Sequence, residues 1–157
     1  MDNIIIKVGG NILEADENII AHQCNCVTKT GAGLSKLIYD KYPNSNIYIN
    51  RVNADIPGTN KIIETNGKKI VNMLAQYKPG KPYGNENKIK RLNWFKSCLN
   101  NLDVDEGDKI AMPYLIGCGL AGGNWEEYYK LLSIWVKDKK IELVLYDINY
   151  ESLKYKF

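Results

Sequence analysis

Residues 19–37, with the sequence IIAHQCNCVTKTGAGLSKL, constrain the fold of this chain more than any other stretch. The stretch begins as an apolar run typical of a buried strand, passes through Gly31-Ala32-Gly33 and then takes on helical spacing of its apolar residues. A helix start offers free N–H groups, and glycines let a phosphate approach the backbone closely. The stretch therefore predicts an α/β fold that carries an anion-binding loop.

Strands and helices alternate along the rest of the chain. Runs rich in β-branched residues predict strands at residues 3–8, 18–23, 61–64, 69–75, 109–112 and 141–146. The dipeptide Asn66-Gly67 predicts a hairpin turn between the third and fourth of these strands. Apolar residues at helical spacing predict helices at residues 34–42, 89–102 and 128–135, and a further short helix is expected at residues 44–53. This alternation predicts a three-layer α/β/α domain with a central mixed sheet.

A second glycine-rich loop, residues 116–123 (IGCGLAGG), also connects a strand to a helix. Asn124 follows it as a candidate N-cap, with Glu127 in the position of a capping-box partner. In open α/β sheets, loops that follow the carboxyl ends of strands converge on a ligand crevice. Residues 31–33 alone fit a tight turn without a ligand equally well. The two loops together predict one site for a phosphate-rich molecule.

Length and charge narrow the class of protein. The 157 residues predict a single domain over residues 1–157. The net charge is +3, nearly all cations are lysines, and Arg51 and Arg91 are the only arginines, which favours a solvated lysine surface over dedicated nucleic-acid binding. The sequence shows no apolar run of membrane-spanning length and no signal-peptide pattern, and its four cysteines form no CxxC pair. We therefore expect a cytoplasmic protein with reduced thiols and no membrane partner.

His22 is the only histidine, and it ends an apolar strand just before the glycine turn. An imidazole changes protonation state near neutral pH, so one interpretation is a catalytic base or nucleophile, and the other is a core histidine with a satisfied ring. His22, Cys24 and Cys26 alternate along the chain, but three ligands from one strand without a fourth make a poor zinc site. We expect no metal and no cofactor.

Two further side chains suit a nucleotide ligand. Asn25 offers one acceptor and two donors for ribose hydroxyls, and its alternative role is an Asx turn within the loop. Tyr146, at the end of the last predicted strand, is a candidate for stacking on a base near the sheet edge. The residues of the last helix, including Trp125 and Tyr128, fit core positions better than ligand contacts.

The chain resembles the macro domain, an ADP-ribose-binding α/β/α module, over nearly its whole length. Five segments in the family's order carry the resemblance: GGNIL at 9–13, IAHQCNC at 20–26, GAGLS at 31–35, MPYLIGCGL at 112–120 and LVLY at 143–146. Within the family, the chain is most similar to the branch that holds the yeast ADP-ribose 1″-phosphate phosphatase and the terminal ADP-ribose protein glycohydrolase. The string H-x-C-N-C in particular resembles the yeast phosphatase.

The resemblance implies roles for individual positions. Asn11 matches the adenine-contacting position, Asn25 the residue at the distal ribose, and His22 the histidine implicated in the phosphatase branch. The two glycine loops match the loops that hold the distal ribose and the diphosphate. The expected ligand-binding residues are therefore Asn11, Asn25, Gly31, Ala32, Gly33, Leu34, Gly117, Cys118, Gly119, Leu120, Ala121 and Tyr146.

Three functions follow from the resemblance. The first is removal of the terminal phosphate from ADP-ribose 1″-phosphate, with His22 as the catalytic residue. The second is binding of ADP-ribose, or of a related NAD-derived nucleotide, without turnover, and the third is hydrolysis of an ADP-ribosyl bond or of O-acetyl-ADP-ribose. Gln76 and Ala121 stand where the glycohydrolase branch uses a lysine and an aspartate, which disfavours its route. The implied partners are ADP-ribose or ADP-ribose 1″-phosphate, with ADP-ribosylated macromolecules as further candidates.

Overall fold

The computed structural model describes residues 3–154 and contains one six-stranded sheet. The strands are β1 (Ile4–Val8), β2 (Ile19–Gln23), β3 (Thr59–Thr65), β4 (Lys68–Leu74), β5 (Lys109–Pro113) and β6 (Glu142–Asp147). Their order across the sheet is β1-β6-β5-β2-β4-β3. All neighbouring pairs are parallel except β3 and β4, which form an antiparallel hairpin. The predicted mixed sheet is therefore confirmed.

Alternate residues of the central strands pack against opposite helical layers. In β2, Ile20 contacts the apolar cluster that includes Ile38 of α1 (Gly33–Lys41). Ile19 and Ala21 join the cluster built with α2 (Lys88–Asn101) and α3 (Trp125–Lys139). Because successive strand residues face opposite sides of a sheet, one buried strand serves both cores. The result is the predicted arrangement of three layers, α/β/α.

Two of the three helices begin with an asparagine N-cap, and α1 does not. Asn87 caps α2 by accepting a hydrogen bond from the amide of Lys90 at 2.8 Å. Asn124 caps α3 by accepting from the amide of Glu127 at 3.4 Å, so the predicted cap is confirmed. Helix α1 begins after Ala32, which makes no side-chain cap. The first amides of a helix have no partner within the helix, so α1 keeps its N-terminal donors available.

The predicted hairpin and loop positions are mostly confirmed. Asn66 and Gly67 both adopt positive φ, at 52° and 74°, as the turn between β3 and β4 requires. The short helix expected at residues 44–53 is wrong, because only Pro43–Ser45 forms a 3₁₀ turn and the following residues are irregular. Tyr48 and Arg51 of this segment instead bond to the loop that follows β2. These tertiary contacts override the local helical preference.

The sheet topology determines where a site can form. The five parallel strands all end at the same edge, and the segments that leave this edge are residues 9–11, 24–32, 75–87, 114–124 and 148–150. Both glycine loops of the sequence belong to this set. Of the helices in residues 3–154, none is long and apolar enough to cross a lipid bilayer.

Candidate binding cleft

A cavity of about 580 Å³ lies at the edge where the parallel strands end. Its lining combines the segments after β2, β4, β5 and β6, so the two glycine loops face the same space. The expected site residues that line it are His22, Asn25, Ala32, Leu34, Gly117, Gly119, Leu120 and Ala121. Ligand pockets of proteins usually measure about 300–1,000 Å³, so this cavity has room for a nucleotide-sized molecule.

The other expected residues do not line the cavity. Gly31 and Cys118 belong to the same loops and Gly33 begins α1, whereas Asn11 follows β1 and Tyr146 lies within β6. Asn11 caps a 3₁₀ turn by accepting from the amide of Leu13 at 3.0 Å. Tyr146 is only 5% exposed, and its hydroxyl donates to the Glu17 carboxylate at 2.6 Å. Its ring is therefore packed in the core in this structure, without an open face for a base.

The loop after β2 is shaped by an Asx turn. Asn25 Oδ1 accepts hydrogen bonds from the amides of Val27 at 3.0 Å and Thr28 at 2.9 Å. Arg51 holds the same turn from behind, because its Nη2 donates to the Asn25 carbonyl and its Nη1 to the Thr28 carbonyl. Within residues 3–154, Asn25 Nδ2 donates to no acceptor, so this side chain both forms the turn and keeps a free donor at the cavity.

Three residues in or next to the second glycine loop have left-handed backbone: Leu115, Gly117 and Gly122. Leu115 has φ 67° and Gly117 has φ 78°, and both line the cavity. A Cβ at Gly117 would lie 2.4 Å from Cε2 of Tyr128, so a larger residue would displace the loop or the ring. The Cys118 amide donates to the Leu115 carbonyl at 2.8 Å and is already used within the turn.

The free amides of the second loop are those nearest the cavity. In the described part of the chain, the amides of Gly117, Gly119, Leu120 and Ala121 make no hydrogen bond to a backbone or side-chain acceptor. Successive unpaired amides in a turn form a concave site for an anion. Together with the uncapped first turn of α1, they place N–H donors on both walls of the cavity.

The two loops touch each other at the mouth of the cavity. A Cβ built on Gly33, which has φ 55°, would lie 3.4 Å from Leu120 Cδ1, and Leu120 itself is 74% exposed. Because 3.4 Å is an ordinary van der Waals contact, a methyl group would fit there, and it is the positive φ that favours glycine at this position. An apolar residue that exposed at a cleft mouth is suited to cover a bound molecule.

Arg91 of α2 connects the second glycine loop to the segment after β4. Its guanidinium donates to the carbonyls of Gly80 at 2.5 Å, Ala121 at 3.1 Å and Lys78 at 3.0 Å. Its Nε donates to Glu86 Oε2 at 2.6 Å, and both side chains are almost fully buried. This ion pair therefore joins two of the segments that form the cavity wall.

Charge at the cleft favours an anion. The exposed or half-buried lysines on its segments are Lys29, Lys78 and Lys81. The only carboxylates in the same segments and at their strand ends are Glu86 and Asp147, and both are buried and hydrogen-bonded. None of these lysines lines the cavity, so they add positive charge only nearby, and the N–H donors of the cavity walls face no competing exposed carboxylate.

His22 lies at the floor of the cavity with both ring nitrogens occupied. Nδ1 is 3.0 Å from Ser35 Oγ, and Nε2 is 2.7 Å from Asn72 Oδ1. Burial lowers the pKa of His22 to about 4, and the Asn72 hydrogen bond opposes this only in part. The imidazole is therefore neutral near pH 7, and its Nδ1 is hydrogen-bonded to Ser35 at the cavity wall.

The cysteines beside His22 are buried thiols. Cys24 Sγ lies 3.7 Å from both ring nitrogens of His22 and 3.4 Å from the Tyr39 hydroxyl. Desolvation raises the pKa of Cys24 to about 11 and that of Cys26 to about 12, so both stay protonated. Within residues 3–154, no three His, Cys, Asp or Glu side chains are grouped closely enough to hold a metal ion.

Several lining residues were not expected from the sequence. They are Gln23, Thr28, Thr30, Ser35, Tyr48, Gln76, Pro79, Gly80, Pro113, Tyr114, Leu115, Ile116 and Asn149. Some of them could have been found from position alone, because Gln23 ends β2 and Asn149 follows β6 at the edge where ligands bind. No such signal marked Ser35, because it lies inside the predicted helix and one position beyond the expected ligand-binding residues.

Comparison with solved structures identifies the fold. The macrodomain of Mycobacterium tuberculosis DarG has a TM-score of 0.66 at 21% sequence identity, over 91% of this chain and 97% of that one. The macrodomain of Thermus aquaticus DarG has a TM-score of 0.65 at 21% identity, over 92% and 97% of the two chains. The Trypanosoma brucei macrodomain in complex with ADP-ribose has a TM-score of 0.64 at 10% identity, over 97% of this chain and 66% of that one.

No protein-family model matches the sequence, and no curated protein matches it. The likeness therefore rests on three-dimensional structure, which is retained at sequence identities where pairwise comparison finds nothing. The mixed six-stranded sheet between two helical layers is that of the macrodomains. This chain has the macrodomain fold.

Proposed function

We propose that this chain binds ADP-ribose in the cavity between its two glycine loops. The observation that carries the proposal is the set of free amides on both walls of one cavity that has no exposed carboxylate. A diphosphate presents only acceptor oxygens and negative charge, which such amides and the positive end of a helix stabilise. The same fold binds ADP-ribose in the Trypanosoma brucei macrodomain, which supports this choice of ligand.

The ligand's parts are assigned by the donors available to each. The diphosphate would lie between the first turn of α1 and the amides of Gly119 and Leu120. The free Nδ2 of Asn25 would donate to a hydroxyl of the distal ribose. Leu120 would close over the diphosphate from the solvent side. Asn11 and Tyr146 lie outside this cavity, so we propose the adenine contact at Asn11 only if the ligand extends beyond the cavity towards β1.

A charge placed at the loop contact tests the proposed site. We expect Gly33→Glu to abolish ADP-ribose binding in isothermal titration calorimetry, because a carboxylate and its bulk would stand against the diphosphate and Leu120. Gly67→Glu is the matched control, since Gly67 also has positive φ, at 74°, and no atom of residues 3–154 lies within 4 Å of a Cβ built there. Retained affinity in Gly33→Glu would show that the binding site lies elsewhere.

A second candidate function is hydrolysis of the terminal phosphate of ADP-ribose 1″-phosphate. The observation that favours it is the Ser35–His22 hydrogen bond, 3.0 Å long, at the cavity wall. Water would attack phosphorus while the bond between phosphorus and the ribose oxygen breaks. The proton of the water would pass through the Ser35 hydroxyl to His22 Nδ1 and then to the leaving ribose oxygen. The lowered pKa of His22 makes it a weak base, so we expect slow turnover.

Phosphorus NMR separates the two functions. We expect wild-type protein to convert the monoester signal of ADP-ribose 1″-phosphate to inorganic phosphate, and His22→Gln to bind ADP-ribose without this conversion. Glutamine can replace both hydrogen bonds of the ring but cannot take up a proton. Equal turnover by both proteins would exclude His22 from the chemistry, and a stable monoester with wild-type protein would mean binding without turnover.

Two neutral side chains favour binding without turnover over hydrolysis of ADP-ribosyl bonds. Gln76 and Ala121 line the cavity, and Gln76 Oε1 accepts a hydrogen bond from Gln23 Nε2 at 2.8 Å. Neither residue can form a lysyl adduct or act as an acid or base. For this reason we do not propose that the chain cleaves the bond between ADP-ribose and a macromolecule.

A further inference from the structure

A buried chain of hydrogen bonds runs from β4 to the cavity wall, and its direction is fixed at Asn72. Asn72 Nδ2 donates to the carbonyls of Lys61 at 3.1 Å and Ser45 at 3.3 Å. Both partners can only accept, so the nitrogen must be on this side of the amide and Oδ1 on the other. Oδ1 therefore acts as an acceptor towards Tyr39 and His22.

This orientation decides the tautomer of His22. Because Asn72 Oδ1 carries no hydrogen, the 2.7 Å contact requires a hydrogen on His22 Nε2. Burial keeps the ring neutral at physiological pH, since its pKa is lowered to about 4. A neutral ring with its hydrogen on Nε2 has a lone pair on Nδ1. Nδ1 is consequently the acceptor of the 3.0 Å hydrogen bond, and the Ser35 hydroxyl is its donor.

The chain leaves Ser35 Oγ with lone pairs only. Its hydrogen is directed to His22, and its alternative acceptor, the Gln23 carbonyl, is more distant at 3.4 Å. Ser35 lines the cavity beside Ala32, Leu34 and Asn25. A ligand group that donates a hydrogen bond meets a ready acceptor there. A ligand oxygen that can only accept would have to displace the Ser35 hydrogen from His22 and leave Nδ1 buried without a partner.

We propose that Ser35 is a specificity-determining residue that accepts a hydrogen bond from a sugar hydroxyl of the bound nucleotide. The inference rests on the proposed binding of ADP-ribose. It identifies the second ribose as the part of the ligand that contacts Ser35. Asn25 Nδ2 offers a donor on the same wall, so Asn25 and Ser35 together supply one donor and one acceptor for neighbouring hydroxyls. His22 and Asn72 act as positioning residues, because they set the direction of the Ser35 hydroxyl.

A comparison of two ligands separates this role from a merely structural one. ADP shares the adenosine and the diphosphate of ADP-ribose and lacks the second ribose. Loss of a hydrogen bond to that ribose weakens the binding of ADP-ribose alone, whereas general damage to the cavity weakens the binding of both. The affinity ratio of the two ligands is therefore the readout.

The experiment is isothermal titration calorimetry of ADP-ribose and ADP against three proteins. For Ser35→Ala we expect affinity for ADP-ribose to fall roughly threefold to tenfold, the usual effect of one hydrogen bond, and affinity for ADP to change by less than about twofold. Ser133→Ala is the matched control, because Ser133 on α3 also donates within the chain, to the Tyr129 carbonyl, and lies outside the cavity. It should leave both affinities unchanged.

A pair of His22 variants tests the positioning role. We expect His22→Gln to retain the ligand ratio of the wild type, because its amide can donate to Asn72 and accept from Ser35. We expect His22→Leu to lower the ratio of the affinity for ADP-ribose to the affinity for ADP, because the Ser35 hydroxyl then donates to another acceptor. Thermal unfolding shows whether each of the two variants folds. If one does not, Ser35→Ala still tests the proposal by itself.

The outcomes are distinct. A lower affinity of Ser35→Ala for ADP-ribose alone supports the proposal. Equal weakening of both ligands, or no change in either, overturns it while the proposed binding function stands. If wild-type protein binds neither ligand, the proposed function fails and the role of Ser35 fails with it.

Discussion

The two arginines of the chain hold opposite walls of the cleft, and they differ in how many of their hydrogen-bond donors are paired. Arg91 donates to three backbone carbonyls and to Glu86, and the side chains of this ion pair are 2% and 4% exposed. Arg51 donates to two carbonyls and to Asp55, whose carboxylate is 15% exposed and is shared with Lys61. Within residues 3–154, Arg51 Nε finds no acceptor.

This difference shows which wall is preformed. Each of the three guanidinium nitrogens of Arg91 donates at least one hydrogen bond, to Glu86 or to a backbone carbonyl. A buried charge paired in this way resists displacement. Arg51 packs on the Tyr48 ring at 4.7 Å and leaves part of its hydrogen-bonding capacity unused. We therefore expect the wall of the second glycine loop to be rigid and the wall of residues 24–32 to adjust when a ligand binds.

Removal of Arg91 should have the largest effect. Arg91→Met leaves Glu86 buried without its charge partner and frees three carbonyls, so we expect a loss of about 3–5 kcal/mol in the free energy of unfolding. Lys90→Met, at the neighbouring exposed position of α2, is the control and should change stability by less than about 0.5 kcal/mol. Urea denaturation measures both, and a loss below about 1 kcal/mol for Arg91→Met would show that the pair does not hold the wall.

A methyl group added to the second loop tests its rigidity directly. In Gly117→Ala the new Cβ would lie 2.4 Å from Tyr128 at a φ of 78°, so we expect a loss of about 2–4 kcal/mol and weaker ADP-ribose binding. Gly107→Ala is the matched control, since Gly107 also has positive φ, at 90°, lies outside the cavity, and a Cβ there would meet no atom of residues 3–154 within 4 Å. Thermal unfolding and calorimetry give both readouts, and equal behaviour of the two variants would contradict a rigid second wall.

His22, at the floor of the cavity, should make the free energy of unfolding depend on pH. The pKa of His22 is about 4 in the folded state and about 6.5 when unfolded, so the unfolded chain takes up a proton first as the pH falls. Stability is therefore complete above pH 6.5 and is lost as the pH falls towards 4, with about 2 kcal/mol lost between pH 7 and pH 5.

The chain has one histidine, so a variant without it isolates this effect. His22→Gln should have a nearly flat stability profile between pH 7 and pH 5 in urea titrations. The wild type should lose stability over the same interval. Parallel profiles for the two proteins would mean that His22 is not held neutral by burial.

Removal of Arg51 should have the smallest effect of these changes. For Arg51→Met we expect a loss of about 1–2 kcal/mol, because Lys61 still pairs with the Asp55 carboxylate and only two backbone carbonyls lose their donor. Lys61→Met, which removes the other cation on Asp55, is the control and should cost less than about 1 kcal/mol. A loss for Arg51→Met as large as that for Arg91→Met in the same denaturation series would remove the distinction between the two walls.

The sequence predicted those features that depend on local pattern. The six strands, the Asn66-Gly67 turn, the Asn124 cap and the convergence of the two glycine loops all follow from periodicity, turn chemistry and chain topology. The helix expected at residues 44–53 failed because Tyr48 and Arg51 bond to a distant loop. Propensity carries no information about such partners.

The buried polar groups could not be predicted for the same reason. Asn72 meets His22 across 50 positions of sequence, and Arg91 meets Ala121 across 30. Arg51 and Arg91 were grouped with a solvated lysine surface, whereas the structure buries both guanidinium groups against backbone carbonyls. Only the packed structure shows which polar side chain completes which loop.

Backbone amide NMR is the most direct test of ADP-ribose binding between the glycine loops. On titration of ¹⁵N-labelled protein with ADP-ribose, we expect the largest shift changes at residues 31–35 and 117–121, where the free amides line the two walls. Residues 64–69 and 103–108, at the opposite end of the sheet, should change little. Saturable changes centred on both loops would support the site, whereas an unchanged spectrum, or changes centred elsewhere, would contradict it.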